Sequence, residues 1–276
     1  MNEIPPLNIS AILKQYGLRA DKKLGQNFLH DPLALEEIAS AAEIKPSDTV
    51  LEIGPGLGSL TRHLAEYANQ VIAVELDRDL IPPLRDVTSA YDNINIIHGD
   101  ILDISPNNLI QESDYLVVAN IPYYITSAII RHLLENEPKP RRIVLTVQKE
   151  VAKRICAQAG DMSLLALSVQ VYGDPRIVTN IPAGSFFPAP KVDSAVLCID
   201  IYPSPQIKSE QLELFFKLIK AGFSQKRKTL RNSLSSGLHI STTGAEELLH
   251  KAKIDPMRRA ETLSIDEWSA LIVEQI

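Results

Sequence analysis

Glycines alternate in Gly54-Pro55-Gly56-Leu57-Gly58, directly after the apolar run Thr49-Val50-Leu51-Glu52-Ile53. This spacing lets a backbone turn tightly and approach a ligand closely, although such a loop alone can be an ordinary strand–helix turn. Two carboxylates weigh against the plain turn. Glu75 closes the next apolar run, 21 residues after Gly54, where it could accept both hydroxyls of a ribose. Asp100 follows His98-Gly99 at the end of a third run, where it could accept from an adenine amino group. A glycine loop and two acids at three consecutive strand ends describe a nucleoside-containing ligand.

A dinucleotide fingerprint would need Gly or Ala at position 59, and Ser59 stands there. The observed loop instead resembles the one that binds S-adenosylmethionine. A fourth run, Tyr115 to Val118, leads into Asn120-Ile121-Pro122-Tyr123. Taken alone this is a plain turn, since Asn and Pro both favour turns. Placed at a strand end, its groups suit methylation of adenine N6, a poor nucleophile whose lone pair is delocalised into the ring. The Asn120 side-chain oxygen and the Ile121 carbonyl could accept from N6–H and release that lone pair. Pro122 fixes the chain and removes a competing donor. Tyr123 offers a face for a flipped base. The segment resembles the (Asp/Asn)-Pro-Pro-Tyr or Asn-(Ile/Leu)-Pro-Tyr signature of amino-methylating enzymes.

These residues need a scaffold that brings successive strand ends together. The alternation of β-branched runs with helical periodicity from about residue 48, continued by Ser127–Glu135 and Ile143–Val147, predicts an α/β fold with a doubly wound, mainly parallel Rossmann-like sheet. Val169–Tyr172 and Ala195–Ile199 read as further strands, suited to an antiparallel edge hairpin. Tyr202-Pro203-Ser204-Pro205 reads as a linker. The tail reads as helical, with Leu212, Phe215, Phe216, Ile219 and Phe223 on one face and a capping box at Ser264 and Glu267. The expected domains are therefore 1–203 for the methyltransferase-like sheet and 204–276 for a small helical domain.

With 45% hydrophobic residues, the chain can bury a substantial core, and its apolar runs are strand-sized, so no membrane partner is expected. The N-terminus lacks the basic and apolar pattern of a secretory signal. Cys156 and Cys198 sit in no CxxC or Cys/His cluster, so neither a metal nor a disulfide is expected, and a reducing cytoplasm suits the chain. The net charge of −6 is uneven: residues 1–203 carry 17 basic and 25 acidic side chains, whereas residues 204–276 carry 11 and 9. A local patch can still bind phosphate on an acidic protein. Lys226, Arg227, Lys228 and Arg231 form the densest such run, with Lys22, Lys23, Arg141 and Arg142 as lesser candidates. No heptad seam suggests an obligate dimer, and a monomer is expected.

Lys22-Lys23-Leu24-Gly25-Gln26-Asn27-Phe28-Leu29, Gln148–Ala152, Phe186–Ser194 and Lys226–Asn232 together extend the resemblance over nearly the whole chain. It is similar to the ribosomal RNA adenine dimethyltransferases of the KsgA/RsmA type, which modify two adjacent adenines near the 3′ end of 16S rRNA in the immature 30S particle. The resemblance implies S-adenosylmethionine as methyl donor, held by Asn27, Leu29, Gly54, Glu75, Asp100 and Asn120. It also implies Phe186 as a second aromatic that, with Tyr123, sandwiches the target base. In one departure, Leu164-Leu165 replaces the family's Tyr-Gly before Leu167-Ser168-Val169. Two other readings stay open: a large-subunit adenine methylase of the macrolide-resistance kind, and an idle binding module on the same fold.

Overall fold

The computed structural model describes residues 4–110 and 114–273. The chain begins with α1 (Ile9–Gln15), the two-residue strand β1 (Phe28–Leu29) and α2 (Pro32–Ala42). Asp31 caps α2 by accepting from the Leu33 N–H at 3.1 Å, and Pro32 occupies the first turn, where its missing donor costs nothing. Strand–helix alternation follows: β2 (Thr49–Ile53), α3 (Ser59–Ala65), β3 (Gln70–Glu75), α4 (Ile81–Val87), β4 (Ile94–His98), the single turn α5 (Pro106–Leu109), β5 (Leu116–Asn120), α6 (Thr126–Glu135) and β6 (Arg142–Gln148).

These five strands pair in parallel, and β9 (Ser194–Ile201) pairs antiparallel with β6, from Arg142 opposite Asp200 to Gln148 opposite Ser194. With β7 (Gly173–Ile181) at the edge, the strand order is β4-β3-β2-β5-β6-β9-β7. The central strands are buried and rich in β-branched residues because helices cover a parallel sheet on both faces. Val50, Val71, Leu116, Val118 and Val144 contribute to one core cluster with Leu35, Ile38 and Leu64 from α2 and α3. The chain winds outward from β2 to β4, then returns to β5 beside β2. That reversal is the switch point at which open α/β sheets bind ligands, beyond the carboxyl ends of the strands. A separate two-stranded ribbon pairs β1 with β8 (Phe186–Phe187), placing Phe28 opposite Phe187 and Leu29 opposite Phe186.

Two compact units result, residues 1–152 with 175–201 and residues 153–174 with 202–276. The second unit holds α8 (Leu164–Gln170), α9 (Leu212–Gly222), α10 (Leu230–Leu238), α11 (Thr242–Lys251) and α12 (Ile265–Val273); α7 (Lys149–Ile155) runs across the division. This differs from the expected boundary at 203, and the reason lies in α8. The expected strand at Val169–Tyr172 is instead the end of this helix and the turn after it. Ser163 caps the helix through its Oγ, which accepts from the Ala166 N–H at 3.1 Å, and Leu-Leu-Ala-Leu is a good helix former. Its buried Ala166, Leu167 and Val169 pack toward α9, so residues 153–174 belong with the tail.

In the second unit, Trp268 and Phe215 are fully buried. A Cβ on Gly237 would lie 2.6 Å from the Ala221 Cα, so α9 and α10 can approach this closely only with glycine at 237. The expected capping box is present: the Glu267 N–H donates to Ser264 Oγ at 3.2 Å, and the Ser264 N–H donates to Glu267 Oε2 at 2.9 Å.

Candidate active site

A cavity opens at the switch point. Its wall is built from the residues that follow β2, β3, β4 and β5, with the loop before β1 closing one side. It brings together Asn27 and Leu29, which the family resemblance implies, with Gly54, Glu75, Asp100, Asn120, Ile121, Pro122 and Tyr123, which spacing and chemistry single out.

On the β2–β4 side the backbone does most of the shaping. Gly54, Gly56 and Gly58 all take positive φ, the region open to glycine at little cost. A Cβ on Gly54 would meet nothing within 4 Å, whereas one on Gly56 would lie 3.0 Å from the Phe28 ring. The glycine at 56 thus lets the loop close onto β1. Glu75 fixes the loop from below: the Gly56 N–H donates to its Oε2 at 2.9 Å and the Asp77 N–H to its Oε1 at 2.8 Å. Burial raises the Glu75 pKa, partly offset by the backbone donors of Asp77 and Gly56. Asp100 turns one oxygen inward to its own loop, where Oδ1 accepts from the Leu102 N–H at 2.9 Å.

On the β5 side the site's side chains are positioned by groups from distant segments. Asn120 Nδ2 donates to the Asn27 carbonyl at 3.1 Å, which settles the amide's orientation and leaves Oδ1 as an acceptor. Asn27 in turn donates from Nδ2 to the Gly25 carbonyl at 3.0 Å. Tyr123 is half-buried, and its hydroxyl shares a hydrogen bond with Ser194 Oγ at 2.6 Å. Burial pushes the Tyr123 phenol up, with the Ser194 bond acting the other way. This tyrosine therefore stays a neutral, fixed ring near neutral pH.

Phe186 stands apart from these residues. It is 3% exposed, belongs to the core cluster with Leu29 and Ile38, and does not line the cavity. Successive strand residues point to opposite faces, so β8 sends Phe186 inward and leaves Phe187 40% exposed on the other side. Among the described residues no ring pairs with Tyr123. The cations divide as well. Lys226, Arg227 and Lys228 lie exposed in the turn between α9 and α10, but Arg231 is paired with Glu246. Arg141 is held by Asp48 and Asp114, and Arg142 by Glu43 and Asp200, so both are committed to ion pairs within the fold. Lys22 and Lys23 remain exposed.

Four site residues escaped the sequence reading. Gln26 ties the entry loop to β3 through Nε2, which donates to Asp77 Oδ2 at 2.6 Å. Tyr124 is exposed and covers Gly25, whose φ is +65° and whose Cβ would lie 3.3 Å from its ring. Ser194, fully buried, fixes Tyr123. Glu52 is 1% exposed, lines the cavity, and has no hydrogen-bond partner for Oε2 among the described residues; burial pushes its carboxyl up to about 8. Glu52, Gln26 and Ser194 stood inside recognised motifs without a role of their own, and Tyr124 carried no signal. Among the described residues no group of acids, histidines and cysteines could hold a metal, and no helix is long and apolar enough to cross a membrane.

The chain is similar to known proteins over most of its length. The chain is 50% identical over 261 residues to the ribosomal RNA small subunit methyltransferase A of Dehalococcoides mccartyi, a match covering 94% of this chain and 90% of that protein. It is 42% identical to the protein of the same name from Alkaliphilus metalliredigens, over 98% of this chain and 97% of that one. Among solved structures, a dimethyladenosine transferase from Plasmodium falciparum superposes with a TM-score of 0.78 at 28% identity, covering 90% of this chain and 96% of that one. The 23S rRNA methyltransferase ErmE superposes with a TM-score of 0.74 at 30% identity, covering 90% and 99%. The family model described as ribosomal RNA adenine dimethylase matches residues 17–274, and with the glycine loop, the strand-end acids and Asn120–Tyr123 gathered on one cavity, the chain belongs to that family.

Proposed function

We propose that this cavity binds S-adenosylmethionine and that the chain dimethylates N6 of two adjacent adenines near the 3′ end of 16S rRNA, within the immature 30S particle. The observation that carries the reading is the anchored amide of Asn120. With Nδ2 spent on the Asn27 carbonyl, Oδ1 can accept from an adenine amino group at the rim of a glycine-walled cavity.

The residues present fit the donor. Glu75, buried and already holding two backbone donors, keeps lone pairs for ribose hydroxyls, and Asp100 lies one strand further along for the adenine amino group. Gly54 leaves open space where any other residue would place a Cβ. S-adenosylmethionine supplies an electrophilic methyl on a sulfonium, a good leaving group. Asn120 and the Ile121 carbonyl draw on N6–H and restore the nitrogen lone pair, while the fixed Tyr123 ring stacks the flipped base. No strong general base is needed, because the N6 proton is acidic once the methyl has moved. Alignment and electrostatics supply the rate.

The small-subunit target rests on the 50% identity to a small-subunit enzyme, against 30% to ErmE. Immature 30S particles and naked large-subunit rRNA, offered separately with labelled donor, test it. Label is expected in the 30S particles, as dimethyladenosine by mass spectrometry. Methylation of the large-subunit RNA alone would overturn the assignment.

A further inference from the structure

A second cleft, of about 500 Å³, lies beside the β1–β8 ribbon, within the same unit. Its walls are α1 and the turn after it, facing Phe187 and Pro188. Three observations bear on what it holds. The Phe187 ring is 40% exposed, while its ribbon partner Phe28 is buried against the donor loop at Gly56. Lys14 and Arg19 line the cleft, both are exposed, and neither has an ion-pair partner among the described residues. Leu13 and Leu18 supply an apolar floor.

The charge is local. Between Lys14 and Lys23 there are four cations and one acid, Asp21, in a region (residues 1–203) that otherwise carries far more acids than bases. Asp21 is turned onto its own loop, where Oδ1 accepts from the Lys23 N–H at 2.7 Å. An exposed ring beside unpaired cations is how proteins bind single strands: the ring stacks a base and the cations take the phosphates. An acidic peptide would use the cations and have no need of the ring.

We infer that this cleft binds one nucleotide of the single-stranded rRNA flanking the target adenine, its base on Phe187 and its phosphates on Lys14 and Arg19. The inference rests on the proposed rRNA reaction. Because Phe28 and Phe187 are register partners on one face of the ribbon, a base on Phe187 would lie beside the ring that packs on the donor loop at Gly56, which would help feed the strand to Tyr123.

The test is binding of the full chain to a labelled single-stranded oligoribonucleotide containing two adjacent adenines, with S-adenosylmethionine affinity measured in parallel as a check on folding. Phe187→Ala is expected to weaken strand binding by roughly 5- to 150-fold, and Phe187→Tyr to restore it. Lys14→Ala with Arg19→Ala should flatten the salt dependence, by up to about 1.4 in log–log slope. Donor affinity should stay within about twofold of wild type. Unchanged strand binding by Phe187→Ala overturns the cleft, as does an abasic strand that binds as tightly as the intact one. If wild-type protein methylates 30S particles in those cases, the reaction stands without the cleft. If wild-type protein modifies no rRNA, the reaction itself falls and the cleft with it.

Discussion

The two rims of the donor cavity are built by different means. The β2–β4 rim is held by backbone: glycines at positive φ, and Glu75 gripping the amides of Gly56 and Asp77. Every group in it lies between residues 52 and 101, at the ends of neighbouring parallel strands. In the β5 rim the site's side chains are held by groups from remote segments. Asn120 leans on Asn27, and Tyr123 leans on Ser194. The first arrangement gathers local groups around the donor. The second ties distant stretches of chain into one frame for the incoming base.

If the rims divide the work in this way, substitutions should separate binding from turnover. The sharpest separation is expected at Asn120→Ala, which removes the N6 acceptor. Methyl transfer should fall by at least about a hundredfold, in line with loss of a preorganised hydrogen-bonding group, while donor affinity by calorimetry stays measurable. Turnover at the wild-type rate would end the proposed role of Oδ1. Glu75→Ala should behave in the opposite way, weakening donor binding by about 10- to 150-fold through loss of hydrogen bonds to a charged group. An unaltered donor affinity would remove Glu75 from the ribose.

Ser194→Ala probes the frame, since it frees the Tyr123 ring without touching it. We expect kcat to drop about fivefold with donor affinity unchanged, and Tyr123→Phe to add little to that loss. Full additivity of the two changes would show that their hydrogen bond does not matter to catalysis. The smallest effect concerns the floor of the β2–β4 rim. Glu52 has its folded pKa raised to about 8, above an ordinary value of 4.5. The unfolded chain therefore loses this proton first, and stability falls as pH rises from 4.5 toward 8. Glu52→Gln should flatten that decline, raising the thermal midpoint at pH 8 by a few degrees and leaving it little changed at pH 4.5. A parallel pH profile in the variant would show that the buried carboxyl titrates normally.

The same division explains what could be read from the sequence. The β2–β4 rim is local: a glycine loop and two acids at consecutive strand ends are visible as spacing, because a parallel sheet converts spacing along the chain into neighbouring positions. Asn120–Tyr123 was visible for the same reason. What sets their orientation was not, since nothing in the sequence says that Ser194 faces Tyr123 or that Asn27 offers its carbonyl to Asn120. The burial of Phe186 is hidden at this level. A two-residue strand has too little alternation to show which face is inside, and the ribbon with β1 decides it. The helix at Leu164–Gln170 was missed because Leu-Ser-Val-Gln-Val reads as β-branched alternation until the Ser163 cap and the packing on α9 are seen.

The links on the β5 rim form a circuit through three stretches of chain: Asn120 to Asn27, Phe28 to Phe187, and Ser194 back to Tyr123. A closed circuit constrains inheritance differently from a row of independent contacts. A change in any one stretch moves the reference point of the other two, so drift around residues 27, 120 and 190 is tolerated only when it is matched. In a comparison across lineages these stretches should therefore co-vary with one another more strongly than with the glycine loop, although the loop lies closer to two of them in sequence.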